Sequence, residues 1–508
     1  MTDPLVIMTY SSVVSRDSVR IGFLLAALND LDLVAADIGN AYLQASTKEK
    51  IYAIAGPEFG ELQGKTMIIV RALYGLKSSG AAWHEHFANT LYDMKFKPSY
   101  ADPDVWMRAA TKPNGFLYYE YIFVYEDDLL ILSHQTKSIV NVLKSISRLK
   151  EDEVGVPKMY LGAQVKQMHL PQDKTVLQWG LSPKQYIENA LNNVEGKLLE
   201  IGQKLHPKNY ASVPIRTGYR PELDYSPILS SETANFYQQL IGMLRWVVEL
   251  GRMDIHLAVT LLSSYMMQPR EGHLIEVLRI FSYLKYHTNS IMIFDHLPVN
   301  WDESAFAKHD WATLYADAKE ELPPNMPEAG GNPVQLNCFT DADHAGNRIT
   351  RQSHTGIIIF ANRAPIVWYS KAQNTIESST FGSEFFASRI AIELITALWY
   401  KLRMFGVPID DATNMFVDNQ SVVINATIPT SVLKKKHNAI AYHKVREAVA
   451  ASIIRIAKVA GSKNLADLFT KPLPRGDFMA LIRNILYLPN VYDNGTAKMG
   501  IQFFICDL

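Results

Sequence analysis

The chain has 508 residues, of which 48% are hydrophobic and 20% charged, the balance of an ordinary globular protein of about three domains. Its 50 basic and 51 acidic side chains give a formal net charge of −1, which excludes a histone-like polycation but still allows a charged groove. Two cysteines exclude a disulfide framework, and neither a signal peptide nor an apolar run of about 18 residues is present, so we expect an intracellular protein without a membrane span.

Two apolar stretches in the first third of the chain are followed or interrupted by acidic residues. The first, residues 31–36, is typical of a strand and is followed by Asp37. The second, residues 116–132, is broken at Asp127 and Asp128, which predicts a β-hairpin with both acids at its turn. Three close carboxylates repel one another unless divalent cations neutralise them, and hard oxygen ligands favour Mg²⁺ or Mn²⁺. The pattern therefore indicates a metal site, although a solvated hairpin tip has the same pattern.

The middle of the chain changes character twice. Residues 232–289 have apolar side chains at three- and four-residue intervals, which predicts long helices. Residues 301–340 carry seven acidic and two basic side chains together with Pro/Gly clusters, which is typical of a linker. Residues 401–475 carry twelve basic and five acidic side chains, so we expect a basic surface in the C-terminal third.

Beyond the linker the pattern is that of an α/β domain. A helix is predicted at residues 383–405, and strands are predicted at 336–340, 356–360, 365–369 and 414–417. Four acids fall at strand ends or helix starts: Asp341, Glu384, Asp418 and Asp467. On such a scaffold they can converge on one face, which makes them a second candidate metal set. Each acid by itself is also typical of a helix cap or a loop.

Several short motifs resemble the reverse transcriptase of copia-type LTR retrotransposons. In the first 300 residues they are Asp37-Ile38-Gly39-Asn40-Ala41-Tyr42, Leu73-Tyr74-Gly75-Leu76-Lys77, Ala101-Asp102-Pro103, Tyr125-Glu126-Asp127-Asp128, Tyr160-Leu161-Gly162 and Arg252-Met253-Asp254-Ile255. Later motifs resemble the ribonuclease H domain of that family: Thr340-Asp341-Ala342-Asp343, Ser378-Ser379-Thr380, Asp418-Asn419-Gln420-Ser421 and Ala466-Asp467-Leu468-Phe469-Thr470-Lys471-Pro472-Leu473. The motifs follow the order of the family, which makes the joint match specific.

The resemblance implies an α+β multidomain fold. It consists of a reverse-transcriptase palm with an antiparallel sheet, a helical thumb or connection region, and an α/β ribonuclease H-like domain with a mixed sheet. The implied boundaries are 1–205 for partial fingers and palm, 206–295 for the thumb or connection, 296–335 for the acidic linker, 336–483 for the ribonuclease H-like domain and 484–508 for an unassigned tail.

Residue roles are also implied by the resemblance. The polymerase metals would be held by Asp37, Asp127 and Asp128, and the ribonuclease H metals by Asp341, Glu384, Asp418 and Asp467, with two Mg²⁺ or Mn²⁺ ions at each site. Tyr42 would be the steric gate against a ribonucleotide 2′-OH. Other substrate-binding positions would be Tyr74, Gly75, Lys77, Tyr125 and Glu126. Nucleic acid would also be bound by Lys434, Lys435, Lys436, His437, His443 and Arg446.

The implied activity is RNA-directed DNA synthesis coupled to ribonuclease H cleavage. The partners would be an RNA template, a DNA primer, dNTPs and an RNA–DNA hybrid, in a cytoplasmic retrotransposon particle and the nucleus. Glu126 departs from the apolar residue usual in the family, and a basic fingers segment that precedes Val13 in the family is not part of this sequence. These departures leave open a remnant that binds nucleic acid without catalysis. A third possibility, an unrelated metal-dependent nuclease, leaves the first 300 residues unexplained.

Overall fold

The first sheet of the structure is antiparallel, with the strand order β1-β7-β6-β5-β4. In the computed structural model, which describes residues 11–170, 173–433 and 438–489, residues 11–157, 327–332 and 404–407 form one compact unit. Its strands are β1 (Asp32–Asp37), β2 (Ser46–Ile54), β3 (Thr66–Arg71), β4 (Lys97–Ser99), β5 (Asp102–Thr111), β6 (Leu117–Tyr125) and β7 (Asp128–Ser133), of which β2 and β3 form a separate hairpin. Its helices are α1 (Arg16–Leu28), α2 (Ala41–Gln44), α3 (Ser79–Asp93) and α4 (Thr136–Ile146).

The β6–β7 hairpin is buried on both faces, which explains its continuous apolar sequence. On one face, Ile122 and Ile131 share a core with Trp83 of α3 and Leu143 of α4. On the other face, α1 lies over the sheet, where a Cβ at Gly22 would come 2.8 Å from the ring of Phe123. Helices on both faces therefore hold the hairpin, and with it the turn that carries Asp127.

The Asp102 motif supports the start of α1. The Asp102 carboxylate accepts hydrogen bonds from the Ser15 backbone N–H (3.0 Å), the Ser15 hydroxyl (2.7 Å) and the Ser18 hydroxyl (2.6 Å). An acid at a helix N-terminus satisfies free N–H groups and complements the helix dipole. The motif thus joins α1 to the sheet by way of β5.

The second compact unit begins with a small sheet and a group of helices. Its antiparallel sheet has the order β11-β10-β9-β8 and contains β8 (Met159–Tyr160), β9 (Ala163–Leu170), β10 (Asp173–Ser182) and β11 (Met292–Phe294). The helices are α5 (Lys184–Glu200), α6 (Ser231–Glu249), α7 (His256–Ser263) and α8 (Glu271–Tyr286). Before α7, the buried Arg252 guanidinium donates to both carboxylate oxygens of Asp254 at 2.9 and 2.7 Å, and the Tyr283 hydroxyl donates to Asp254 Oδ2 at 2.9 Å. This network fastens α8 to the start of α7.

The C-terminal part of the second unit is built on a five-stranded mixed sheet, β14-β13-β12-β15-β16, in which β12, β15 and β16 are parallel. The strands are β12 (Leu336–Asp343), β13 (His354–Ala361), β14 (Ala364–Ala372), β15 (Thr413–Val417) and β16 (Ile454–Lys458). The helices are α9 (Thr380–Met404), α10 (Gln420–Thr427), α11 (Ala439–Ala450) and α12 (Arg475–Ile482).

These elements confirm the predicted α+β class, the early hairpin, the helical middle and the C-terminal mixed sheet. The domain boundaries remain a prediction. Part of the acidic segment lies against the mixed sheet, where Trp301 packs on Phe416 with ring centroids 4.3 Å apart and Phe306 is 5% exposed. In the part of the chain that the structure describes, no helix is long and apolar enough to span a membrane.

Candidate metal centres

The first carboxylate set lies at one end of the antiparallel sheet. Asp37, the last residue of β1, is the direct cross-strand partner of Asp128, the first residue of β7. Directly paired residues point to the same face of a sheet, so the two carboxyl groups share one face. Asp127 and Glu126 form the two-residue turn between β6 and β7, where Glu126 adopts a positive φ of 56°. The sheet register thus brings Asp37 and Asp128 together at one end of the sheet, with Asp127 beside them in the turn. Among the described residues, these three acids do not form a group whose ligand atoms all lie within 4.8 Å of one another.

The charges of this first set are close enough to affect one another. Burial, and next the carboxylates of Asp127 and Asp37, raise the pKa of Asp128 to about 6. Burial also raises the pKa of Asp127. Lys150 Nζ lies 2.7 Å from Asp37 Oδ2, while the buried Oδ1 of Asp37 receives no hydrogen bond. A buried carboxylate oxygen without a partner is available to a hard cation, so these residues fit Mg²⁺ or Mn²⁺.

Tyr42 lies beside the acidic turn. It is part of the short helix α2, which follows β1, and its ring centroid is 4.6 Å from that of Tyr74. Burial, followed by the charge of Glu126 and further contributions from Tyr74 and Asp127, raises the pKa of Tyr42. The Tyr42 hydroxyl is therefore within electrostatic reach of the acidic turn.

The remaining polymerase positions of the prediction lie on two turns. Tyr74, Gly75 and Lys77 lie on an exposed turn before α3, in which Gly75 has a positive φ of 97°. Tyr125 is half-buried at the end of β6, and Glu126 is exposed. Trp83 Nε1 donates to the Glu126 carbonyl at 3.0 Å, a contact that anchors the acidic turn to α3 and for which the sequence contains no local signal.

Three carboxylates of the second set lie close to one another. Among the described residues, a single group of three acids has ligand atoms that all lie within 4.8 Å of one another: Asp341, Asp418 and Asp467. Asp341 is on β12, and Asp418 directly follows the parallel neighbour β15, so both lie toward the same edge of the sheet. Asp467 is on the 3₁₀ turn Leu465–Phe469. The set meets the spacing of a divalent cation site.

Glu384, the fourth acid of the predicted set, is not part of this group of three described residues. It lies just after the first turn of α9, and its Oε1 accepts a hydrogen bond from Asn419 Nδ2 at 3.1 Å. Burial, together with the charges of Asp418 and Asp341, raises the pKa of Glu384 to about 8. Burial and the Asp341 carboxylate raise the pKa of Asp467 to about 7. Burial first, and the neighbouring carboxylates second, thus favour the protonated forms of Glu384 and Asp467.

A lysine whose role the sequence motif did not indicate, Lys471, lies inside this set. Lys471 Nζ is 2.9 Å from Asp467 Oδ1 and 3.2 Å from Asp341 Oδ2. The Thr470 hydroxyl donates to the same Asp341 oxygen at 2.5 Å. The i,i+4 spacing of Asp467 and Lys471 was the sequence signal for the first of these contacts.

A cavity of about 780 Å³ lies beside the second set. Asp343, two residues after Asp341 on β12 and therefore on the same face of the strand, is one of its lining residues. Its other charged lining residues are three cations, Arg220, Arg245 and Lys371, and two further acids, Glu222 and Glu249. The lining therefore carries both signs of charge.

The predicted basic stretch is only partly described. Lys434, Lys435, Lys436 and His437 lie outside the described residues. His443 shares a 2.7 Å hydrogen bond with the Tyr315 hydroxyl. Arg446 is 2% exposed and donates to the carbonyls of Asn425, Ile428 and Pro429. Its guanidinium holds the segment after α10, and we therefore leave Arg446 out of the proposed nucleic-acid surface.

Residues 5–194 match the family model described as reverse transcriptase (RNA-dependent DNA polymerase). The chain is also similar to the retrovirus-related Pol polyprotein from transposon TNT 1-94 of Nicotiana tabacum, with 25% identity over 482 residues. A second relative, the Pol polyprotein from transposon RE1 of Arabidopsis thaliana, is 26% identical over 476 residues. Each alignment covers 92% of this chain, but the chain spans only 32% and 28% of the lengths of these relatives.

Two solved structures are similar at low identity. A foamy viral protease–reverse transcriptase in complex with an RNA/DNA hybrid has a TM-score of 0.39 and 12% identity, covering 89% of this chain and 46% of that chain. LC11-RNase H1 in complex with an RNA/DNA hybrid has a TM-score of 0.23 and 16% identity, covering 27% of this chain and 94% of that chain. These comparisons agree with the resemblance to copia-type Pol proteins: residues 5–194 match the reverse transcriptase family model, and most of the chain is similar to the Pol polyproteins of retrotransposons.

Proposed function

We propose that this chain is an RNA-directed DNA polymerase whose C-terminal part cleaves the RNA strand of RNA–DNA hybrids. The observation that carries the proposal is the convergence of Asp341, Asp418 and Asp467 within 4.8 Å on the mixed sheet. The cross-strand pair Asp37 and Asp128 supports the polymerase half of the proposal. The partners would be an RNA template, a DNA primer, dNTPs and the hybrid product.

In polymerisation, the primer 3′-OH would attack the α-phosphorus of a dNTP, and pyrophosphate would leave. Asp37, Asp127 and Asp128 would be the metal-binding residues, with Asp37 Oδ1 as a free buried ligand atom. Divalent cations at either carboxylate set would lower the pKa of the attacking oxygen and stabilise the leaving oxygen. Tyr42, supported by the ring of Tyr74, would exclude a ribonucleotide 2′-OH by its bulk.

In hybrid cleavage, water would attack a phosphorus of the RNA strand and break one phosphodiester P–O bond. Asp341, Glu384, Asp418 and Asp467 would hold the cations. Arg220, Arg245 and Lys371, three cations that line the cavity, would contact phosphates of the nucleic-acid backbone.

The two activities can be tested with paired variants. Asp127→Asn should abolish dNTP incorporation on a primed RNA template and leave hybrid cleavage intact, while Asp418→Asn should do the reverse. Matched controls are Asp32→Asn, an exposed acid on β1, and Asp410→Asn, an exposed acid before β15, neither of which should affect either activity. Equal loss of both activities in either active-site variant would contradict two separate sites.

A second candidate function is a nucleic-acid-binding remnant without catalysis. The observation that favours it is Glu126, an exposed carboxylate in the turn that also carries Asp127. If the wild-type protein binds a primed template but neither extends the primer nor cleaves the hybrid above the levels of Asp127→Asn and Asp418→Asn, the remnant is the better description.

A further inference from the structure

Lys471 places a positive charge between two candidate metal ligands. Its ammonium group contacts Asp467 Oδ1 at 2.9 Å and Asp341 Oδ2 at 3.2 Å. Both acids also belong to the group whose ligand atoms lie within 4.8 Å of one another. An ammonium that bridges two carboxylates in this way lies where a divalent cation bridging the same two oxygens would lie.

A hydrogen bond fixes the backbone position of Lys471, whereas its ammonium group can move away from the carboxylates. Lys471 N–H donates to the Asp467 carbonyl at 3.1 Å, which places the two side chains one turn apart on the same side. The Lys471 side chain is 39% exposed, so solvent reaches it. A lysine with a flexible four-carbon stem can therefore move from the carboxylates into water without a change in the backbone.

The third acid of the group lies outside this ion pair. Asp418 makes no salt bridge to Lys471 in the described structure, and Glu384 is bound by Asn419 instead. The four acids thus differ in their contacts: Asp341 and Asp467 hold the Lys471 ammonium, whereas Asp418 and Glu384 form no ion pair with it among the described residues. If two divalent cations share Asp341 as a ligand, the cation next to Lys471 would bind more weakly than the other.

We propose that Lys471 is the resident cation of the ribonuclease H-like site and a positioning residue for its metals. Its ammonium holds Asp341 and Asp467 together when no divalent cation is bound. The first divalent cation binds on the side of Asp418 and Glu384, and a second binds only when Lys471 is displaced. This inference rests on the proposed ribonuclease H function, because it takes the four acids as metal ligands.

The experiment counts Mn²⁺ ions bound to the full chain by electron paramagnetic resonance, at constant ionic strength, for three variants. Lys471→Met removes the charge and should tighten the weaker Mn²⁺ site by about five-fold or more, since nearby like charges oppose cation binding. Lys471→Arg keeps the charge and should stay within about two-fold of the wild type. Lys184→Met is the matched control, because Lys184 forms an i,i+4 ion pair with Glu188 on α5, and it should change nothing.

A second measurement uses the wild-type protein and does not depend on the folding of a variant. Acetylation by acetic anhydride, read by peptide mass spectrometry, should be slow at Lys471 without metal and should rise about three-fold or more with saturating Mn²⁺. Lys184 in the same digest is the internal reference. An unchanged or slower acetylation of Lys471 with Mn²⁺ would overturn displacement.

The outcomes separate this inference from the function on which it rests. If the wild type cleaves hybrids but Lys471→Met binds Mn²⁺ no more tightly, or more weakly, then the function stands and the inference falls. If neither protein binds Mn²⁺ at this site nor cleaves a hybrid, both fall. Tighter binding in Lys471→Met alone, with increased acetylation of the wild type, supports the inference.

Discussion

Lys150 Nζ lies 2.7 Å from Asp37 Oδ2, so the acid at the end of β1 is held by a cation 113 residues away in sequence. The hydrogen bond to Asp37, opposed by burial, raises the pKa of Lys150, and the side chain is 43% exposed. Lys150 is therefore charged at any pH of interest and offsets part of the negative charge that Asp37, Asp127 and Asp128 bring together.

Lys150→Met should lower primer extension by about ten-fold, which corresponds to about 1.4 kcal/mol of activation free energy. It should cost little thermal stability, because an exposed ion pair contributes about 0–1 kcal/mol. The matched control is Lys48→Met, which removes an exposed ion pair to Glu85 of 2.6 Å in the same compact unit. Equal primer extension in the two variants would show that Lys150 has no special role.

Glu126→Gln should raise primer extension about two- to five-fold at low salt, because it removes one negative charge beside Asp127. Glu126 is exposed, so the gain should shrink as the ionic strength approaches about 0.15 M. Initial rates of dNTP incorporation across a salt series measure both effects. A rate that is the same as the wild type at low salt would show that this charge does not reach the reacting phosphates.

Glu126→Val should destabilise the turn between β6 and β7. Glu126 has a φ of 56°, and a β-branched residue is strained in this region by about 1–3 kcal/mol. Restoring the apolar residue usual in the family should therefore lower the thermal unfolding midpoint, whereas Glu126→Gly should leave it close to the wild type. A Val variant as stable as the Gly variant would contradict a left-handed turn.

The sequence was sufficient to predict the elements that carry the acids. The apolar run at residues 116–132 predicted the β6–β7 hairpin, and the strands expected at 336–340 and 414–417 are β12 and β15. These predictions succeeded because a strand can be recognised from its own apolar run, which is a local feature of the sequence. The roles assigned to the acids remain predictions that the variants above test.

The partners of the acids could not be predicted in the same way. Lys150 meets Asp37 only through the folded chain, and Trp83 reaches the Glu126 carbonyl from a helix 43 residues earlier. Net positive charge in residues 401–475 likewise did not indicate that Arg446 is buried against carbonyl groups. Charge counts record the residue type, whereas burial depends on packing between distant segments.

Asp254→Asn should lower the unfolding free energy of the second compact unit by about 3–5 kcal/mol, because it leaves the fully buried Arg252 without its counter-charge. Glu195→Gln, which removes an exposed ion pair to Lys285, should have little effect and serves as the control. Thermal unfolding followed by circular dichroism measures both. A midpoint for Asp254→Asn within 1–2 °C of the control would show that the network is not important for stability.

The metal-free protein should lose stability as the pH rises from about 5 to about 8. The folded-state pKa of Glu384 is raised from 4.5 to about 8, chiefly by burial, and that of Asp467 from 3.8 to about 7 by burial and then by Asp341. A carboxyl group whose pKa is raised on folding binds its proton more tightly in the folded state. Its contribution is therefore fully present below the unfolded-state pKa and is lost as the pH rises through the folded-state pKa.

Divalent cations should reverse this loss, because they bind the ionised carboxylates and not the protonated ones. The increase in the unfolding midpoint caused by Mg²⁺ should consequently be larger at pH 8 than at pH 5.5. Glu384→Gln should flatten the pH dependence without metal and reduce the effect of Mg²⁺ at pH 8, whereas Asp410→Asn, an exposed acid of the same unit, should match the wild type. The measurement is a thermal unfolding series across this pH range with and without Mg²⁺, at constant ionic strength. A Mg²⁺ effect that is independent of pH, or that survives in Glu384→Gln unchanged, would place the bound ion elsewhere than among Asp341, Glu384, Asp418 and Asp467.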